Sequence, residues 1–230
     1  MSLLEVSGLR KRFGGLLAVD GLDLSMSEGE MLGLIGPNGA GKTTVFNLLS
    51  GFLTPDAGEI RFGGRNLVGL KPHAICRLGM ARTFQIVRPF PQLSVLDNVR
   101  VAALARHPAM PRALEAARAV VERVGLGARA RELAGGLTLA DRKRLELARA
   151  LATEPTLLLL DEVMAGLNAT EIDVMVRLIG AVNGGGISVL LIEHNMRAVR
   201  SSRFQKNFWS RYERPYSLNS SNSIKQPVDR

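Results

Sequence analysis

The stretch "GPNGAGKT", residues 36–43, decides the fold. It lies between the apolar run "EMLGLI", which begins at Glu30, and the helical pattern "KTTVFNLL", which begins at Lys42. The pattern G-x-x-x-x-G-K-[ST] requires this order of strand, loop and helix. Glycines allow backbone N–H groups to close around an anion, and the helix N-terminus adds partial positive charge. The stretch therefore predicts a loop that binds the phosphates of a nucleoside triphosphate.

The side chains of this loop have separate predicted roles. Lys42 is expected to reach the β- and γ-phosphates and to act in catalysis, and the Thr43 hydroxyl is expected to ligate Mg²⁺. The predicted nucleotide-binding residues of the loop are Gly36, Pro37, Asn38, Gly39, Ala40, Gly41, Lys42, Thr43 and Thr44.

A second motif, "TLLLLDE" at residues 156–162, supplies carboxylates. The run predicts a buried strand that ends at Asp161, where the carboxylate can hold Mg²⁺ through water. Glu162 can orient or deprotonate the attacking water, which makes it the predicted catalytic base. An acidic pair at a strand end is also common as a helix cap or a surface turn. The phosphate loop upstream favours the catalytic interpretation.

Strand and helix patterns alternate along the chain. After "LLEVSGL" near the start, the runs "EMLGLIG", "PTLLLLDE" and "ISVLLIEH" are nearly continuous in hydrophobicity, as expected for strands covered on both faces of a largely parallel sheet. Helical patterns follow them, among them "ATEIDVMVRLIGAV", with Asn168 or Thr170 as its cap, and "NMRAV" after the last run. This alternation predicts an α/β fold with right-handed crossovers.

Residues 88–136 have a different character. The segments "SVLDNVRVAALARH" and "PRALEAARAVVERVGLG" are amphipathic and rich in Ala and Arg, and prolines separate them. They predict an all-helical insertion within the α/β core.

Composition argues against several classes of protein. The 46% hydrophobic and 22% charged content is ordinary for a globular protein, and the single cysteine, Cys76, allows no intramolecular disulfide. The sequence has no uninterrupted segment of about 18 uncharged apolar residues, so we do not expect the chain to cross a membrane by itself. The net charge is +9, but the basic residues do not form a stripe with interleaved aromatic residues, so nucleic acid is not an expected partner.

The composition changes again after residue 200. Residues 201–230 contain neither Gly nor Ala, in a chain with 24 glycines, and hold six Lys or Arg against two acidic residues. A natural disordered tail is one interpretation, although such tails are usually poor in aromatic residues, and this segment holds Trp209, Tyr212 and Tyr216. A replaced or frame-shifted end fits the discontinuity better.

From about residue 3 to residue 199 the chain resembles the ATP-binding-cassette (ABC) ATPases. The resemblance implies a P-loop NTPase fold: an ABC-type core with a mixed sheet, an N-terminal antiparallel β subdomain and an inserted α-helical subdomain at about residues 88–145. Residues 1–200 would form the nucleotide-binding domain, followed by the atypical segment 201–230. ATP and Mg²⁺ are the implied cofactors.

The resemblance assigns further site residues. Gln85 in "ARTFQ" is similar to the family's glutamine that contacts the metal and takes part in catalysis, and residues 165–168, "AGLN", resemble its D-loop. His194 in "LIEHN" ends a predicted strand at the ligand-binding edge of the sheet and is similar to the catalytic histidine that contacts the γ-phosphate. Phe13 is similar to the aromatic residue that stacks on adenine, although an ordinary half-buried Phe is an equally good interpretation.

The stretch "LTLAD", residues 137–141, stands where the family carries its signature, commonly L-S-x-G-Q. Thr138 keeps the hydroxyl, Ala140 adds a methyl group that disfavours positive φ, and Asp141 replaces an amide by an acid. The same residues form T-x-x-D, a capping box. The resemblance implies that this helix N-terminus, with Thr138, Ala140 and Asp141 as nucleotide-binding residues, points at the ATP of a second subunit. Asp141 is therefore expected to turn away from the phosphate or to pair with a neighbouring cation: Arg142, Lys143 or Arg144.

Within the family, "MARTFQIVRPF", "LSVLDNV", "LLLLDEVMAGLN" and "LIEHNM" most resemble the ATPase subunits of importers for branched-chain amino acids, the LivG type. The resemblance implies an ATPase at the cytoplasmic face of the cell membrane. Its implied partners are a second ABC ATPase subunit, paired head to tail, two transmembrane permease subunits and, indirectly, an external solute-binding protein.

Other functions stay open. Importers for urea or short amides and the lipopolysaccharide exporter share much of the pattern. A soluble ATPase of DNA repair or of ribosomes would normally show a coiled-coil insertion or tandem cassettes, which this chain lacks. A nucleotide-binding module impaired by its altered C-terminus is a further alternative.

Overall fold

The computed structural model describes residues 2–35, 39–85 and 89–193. The strands are β1 (Ser2–Phe13), β2 (Leu16–Ser27), β3 (Met31–Ile35), β4 (Ala57–Phe62), β5 (Arg65–Asn66), β6 (Met80–Arg82), β7 (Leu157–Asp161) and β8 (Ser188–Glu193). The α-helices are α1 (Lys42–Leu49), α2 (Pro72–Leu78), α3 (Val95–Ala103), α4 (Met110–Arg123), α5 (Leu139–Leu151) and α6 (Ala169–Gly184).

A parallel sheet in the order β3-β8-β7-β6 carries the site. All residues of β7 and β8 are buried, as the continuous apolar runs predict for central parallel strands. Asp161 pairs with Ile192, and Ile35 pairs with Glu193. The carboxyl ends of β3, β7 and β8 therefore meet at one edge of the sheet, next to the phosphate loop.

A second sheet, in the order β2-β1-β4-β5, is antiparallel. It packs with α1 against one face of the parallel sheet, where Leu4, Phe46 and Leu159 belong to one hydrophobic core. Neighbouring strand residues point to opposite faces, so Leu160 joins the other core, together with Val99 of α3. The predicted α/β fold, with its antiparallel N-terminal sheet, is confirmed.

Between β6 and β7, the regular structure of the described residues is helical. Ala103, Ala113 and Ala117 are fully buried between α3 and α4, and small side chains allow these helices to approach closely. The hydroxyl of Ser94 caps α3 by accepting a hydrogen bond from the Asp97 N–H at 3.0 Å. The predicted subdomain limits of about 88 and 145 stay a prediction.

The C-terminal predictions are resolved only in part. Asn168, rather than Thr170, caps α6, and its reciprocal bonds with Glu171 complete a capping box. The domain limit at residue 200, the segment 201–230 and the predicted "NMRAV" helix lie outside the described residues. Within the described ranges, the helices fall short of the length and apolarity that a membrane span requires.

Candidate functional site

The described part of the phosphate loop leads directly into α1. Gly41 has φ 82°, and a Cβ built on it would lie 2.2 Å from the carbonyl oxygen of Ala18, so only glycine fits. Lys42 is buried at the start of α1, and Thr43 is exposed beside it. The first turn of α1 has no acidic residue to neutralise its partial positive charge. These features favour the binding of an anion at the start of α1.

The other described residues of the loop lie on either side of Gly41 and Lys42. Gly39 also has a positive φ, 84°, and Ala40 is exposed. Thr44 is half-buried in the first turn of α1. Gly36, Pro37 and Asn38 lie outside the described residues.

Asp161 ends β7 with a buried carboxylate. Its Oδ2 accepts a 2.8 Å hydrogen bond from Arg82 Nη2, and its backbone N–H donates to Thr83 Oγ1 at 3.3 Å. Its Oδ1 is buried and has no hydrogen-bond partner among the described residues. A carboxylate oxygen left in this state fits the oxygen chemistry that Mg²⁺ requires, directly or through water.

Arg82 joins Asp161 to the helix of the phosphate loop. Its Nη1 donates to Asn47 Oδ1 at 2.7 Å and to Ser50 Oγ at 3.1 Å, both at the end of α1. Its guanidinium carbon also lies 5.6 Å from the centroid of the Phe46 ring. The sequence analysis missed Arg82. Its only signal is a charged residue at the end of a short apolar run, three positions before Gln85.

Glu162 follows Asp161 in a left-handed backbone conformation, with φ 48°. Its N–H donates to the carbonyl of Ile192 at 3.1 Å. Gln85 Nε2 donates to Glu162 Oε2 at 2.7 Å. The structure thus brings together two residues that are 77 positions apart, and the predicted base has one carboxylate oxygen fixed by the predicted metal-contacting glutamine.

The signature segment 137–141 begins α5. Thr138 is the N-cap, and its Oγ accepts from the Asp141 N–H at 3.2 Å. The box differs from the predicted one, because Asp141 Oδ2 accepts from the Thr138 hydroxyl at 2.9 Å instead of from its backbone N–H. Ala140 is the second residue of α5, so this position needs no positive φ.

Asp141 is buried and paired with two arginines. Its Oδ1 is bonded to Arg144, which confirms the predicted pairing with a neighbouring cation. Its Oδ2 also lies 3.0 Å from Arg129 Nη1, a partner that the sequence analysis missed because it lies outside the helix. Arg142 and Lys143 bond elsewhere, to the carbonyls of Gly135 and Glu162. The negative charge of Asp141 is therefore compensated within the subunit.

Of the two remaining predicted residues, Phe13 is described by the structure and His194 is not. Phe13 ends β1 with 44% of its surface exposed, and the Lys11 ammonium lies 5.8 Å from its ring centroid. Its role in adenine stacking stays a prediction. His194 lies outside the described residues. Glu193 precedes it at the end of β8, and Glu193 Oε1 accepts from the Met164 N–H at 3.1 Å.

This chain matches an ABC transporter family model and is similar to relatives described as transport ATP-binding proteins. The family model described as ABC transporter matches residues 19–165. The high-affinity branched-chain amino acid transport ATP-binding protein BraF of Pseudomonas aeruginosa is 45% identical over 215 residues, covering 86% of this chain and 84% of BraF. The protein of the same description named LivG, from Salmonella typhimurium, is 45% identical over 213 residues, with the same shares covered.

A solved structure has a similar fold. The crystal structure of the ADP conformation of MJ1267, an ATP-binding cassette of an ABC transporter, matches with a TM-score of 0.79 at 28% identity. The match covers 86% of this chain and 84% of that chain.

Proposed function

The chain belongs to the ABC transporter family of ATPases, and we propose that it is the ATP-hydrolysing subunit of an importer for branched-chain amino acids. The solute class rests on the 45% identity to two relatives that are described as branched-chain amino acid transport ATP-binding proteins. The observation that carries the ATPase activity is the meeting of Asp161, Glu162 and Gln85 beside the phosphate-loop helix.

The nucleotide is held at the start of α1 in this proposal. The loop 36–44 encloses the phosphates, Lys42 contacts the β- and γ-phosphates, and His194 contacts the γ-phosphate. The exposed ring of Phe13 stacks on adenine. Support comes from the left-handed Gly41, which brings the loop close to Ala18, and from the first turn of α1, which carries no acidic residue.

Mg²⁺ is assigned to oxygen donors of Thr43, Gln85 and Asp161 in this proposal. When bound, the ion neutralises charge on the phosphates. The buried, unpartnered Oδ1 of Asp161 supports this assignment. The hydrogen bond from Gln85 to Glu162 uses the amide nitrogen, so the amide oxygen of Gln85 is the atom that suits a metal.

Hydrolysis follows from the position of Glu162. The oxygen of a water molecule bonds to the γ-phosphorus while the bond from the γ-phosphorus to the β–γ bridging oxygen breaks, so ADP and phosphate leave. The Glu162 carboxylate takes the proton that the water loses. The hydrogen bond from Gln85 orients that carboxylate, and the fixed backbone of Glu162 limits its movement.

We infer the partners from the resemblance to the family. A second ABC ATPase subunit pairs head to tail with this chain, so that the start of α5, with Thr138, Ala140 and Asp141, faces the nucleotide of the partner. The Asp141 carboxylate stays paired with Arg129 and Arg144. Two permease subunits hold the dimer at the cytoplasmic face of the membrane, and an external binding protein delivers the solute. The cap at Thr138 supports an anion contact, because the start of α5 presents backbone N–H groups.

Glu162→Gln tests the ATPase assignment. The variant should lose ATP turnover while it keeps ATP binding and forms a stable ATP-bound dimer, because only the base is removed. Normal hydrolysis by the variant would show that Glu162 is not the base. All three properties are measured on the purified chain: turnover by phosphate release, ATP binding at equilibrium, and the dimer by size-exclusion chromatography.

The solute is tested on the assembly purified from native membranes. Leucine, isoleucine or valine with its binding protein should stimulate ATP hydrolysis by the reconstituted complex. Stimulation by urea or short amides alone would contradict the proposed solute and would indicate an importer for those compounds. Co-purification with lipopolysaccharide-export components would contradict the assignment as an importer.

A further inference from the structure

We propose that Lys143 is a positioning residue for hydrolysis, which holds the backbone of Glu162 in the conformation that presents its carboxylate to Gln85. The proposal rests on the proposed ATPase function and adds to it a contact inside one subunit. Lys143 lies on α5, two residues after the signature segment 137–141.

The contact itself is direct. Lys143 Nζ donates a 2.9 Å hydrogen bond to the backbone carbonyl of Glu162. Lys143 is only 6% exposed, so this ammonium is held inside the protein instead of in solvent. A buried long side chain that donates to a backbone carbonyl fixes that carbonyl, since few other positions satisfy the charge.

Glu162 needs such a restraint. Its φ of 48° lies in the left-handed region, which is unfavourable for a residue with a side chain. The N–H of Glu162 donates to the carbonyl of Ile192, and the carbonyl of Glu162 accepts from Lys143 Nζ and from the Ala165 N–H at 3.1 Å, so Lys143 adds a side-chain restraint to a backbone turn. Both peptide groups of Glu162 are therefore fixed, and the side chain leaves the backbone toward Gln85.

A buried carboxylate balances Lys143. Glu193 is 1% exposed and accepts the Met164 N–H, two residues after Glu162. Burial lowers the pKa of Lys143, whereas the charges of Glu193 and Glu162 raise it. Lys143 and Glu193 thus hold the 162–164 loop at both ends.

Through its position on α5, Lys143 links the helix that faces the partner's ATP to Glu162 of its own subunit. The first turn of α5 faces the partner's ATP in the proposed dimer, and its second turn holds the base of this subunit's own site. A shift of α5 on ATP capture at one site would therefore move the carbonyl of Glu162 at the other.

Replacement of Lys143 tests the proposal in the purified, complete chain. Lys143→Met should lower kcat on the order of 10- to 100-fold, because small displacements of a base cost rate steeply, and should leave ATP affinity unchanged. Lys143→Arg should restore most of kcat, since Arg can donate to the same carbonyl. Lys71→Met, at an exposed position, is the matched control and should turn over like the wild type.

The outcomes separate this inference from the proposed function. A wild-type kcat for Lys143→Met, or a loss of ATP affinity equal to the loss of kcat, overturns the inference. If Lys143→Met does not fold, Lys143→Gln is measured instead; its shorter amide should still lower kcat, and an unchanged kcat overturns the inference. Normal turnover by Glu162→Gln in the same assay would instead remove the proposed function.

Discussion

Arg82 Nη2 lies 2.8 Å from Asp161 Oδ2, and the two side chains are only 7% and 1% exposed. This buried ion pair crosses from β6 to β7 and, through Asn47 and Ser50, reaches the end of α1. It therefore connects the helix that follows the phosphate loop to the carboxylate proposed for Mg²⁺. One oxygen of Asp161 is bonded to Arg82, and the other is buried and has no hydrogen-bond partner among the described residues.

Arg82→Met should destabilise the chain by about 3–5 kcal/mol, because it leaves the buried Asp161 charge without its partner. The free energy of unfolding is measured by urea denaturation without nucleotide. Arg61→Met provides the control, since Arg61 and Glu59 form an exposed pair with side chains 49% and 58% accessible. The control should lose about 1 kcal/mol or less. Equal losses in the two variants would show that the Arg82 pair contributes no more than a surface contact.

The sequence predicted those strands in which burial on both faces requires nearly every residue to be apolar. β3, β7 and β8 are covered on both faces, so their runs are apolar almost throughout and could be recognised. β2 and β4 carry no such run, because one face of their sheet is largely exposed. Residue patterns did not reveal them, and only the family resemblance predicted the antiparallel sheet. β6, with three residues, is too short to give a pattern.

Some residues of the site could likewise be predicted from the sequence, and others could not. Lys42, Asp161 and Glu162 belong to local motifs, in which the spacing of neighbouring residues is itself the signal. Arg82 and Arg129 act through contacts with residues distant in sequence, and Arg82 is 79 positions from Asp161. Such pairs depend on which strands become neighbours, which a single sequence does not state.

Asp141→Asn should cost about 3 kcal/mol of stability, at the low end of the range for a broken buried ion pair. The Asp141 side chain is 4% exposed, whereas its partners Arg129 and Arg144 are 43% and 25% exposed, so solvent reduces the loss. Urea denaturation measures the change. Glu132→Gln removes an exposed partner of the same Arg129 and should cost about 1 kcal/mol or less. A loss for Asp141→Asn no larger than for this control would contradict a structural role for the charge.

Glu146→Gln should gain stability relative to the wild type as the pH rises from 5 to 8. Burial raises the pKa of Glu146 above its usual 4.5, and the neighbouring Arg149 only partly offsets this. The folded state therefore binds the proton more tightly than the unfolded state. The stability that protonation contributes is fully present below pH 4.5 and is lost as the pH rises through the raised value.

At neutral pH the ionised Glu146 is thus less favourable inside α5 than in the unfolded chain, a penalty that Gln does not carry. The 3.0 Å contact with Arg149 can be kept, since the Gln side-chain oxygen also accepts a hydrogen bond. Unfolding free energies at both pH values measure the difference between variant and wild type. Glu115→Gln, at an exposed position of α4, corrects for the loss of one negative charge from the surface. If the corrected difference stays constant or falls with pH, desolvation of Glu146 does not govern its contribution to stability.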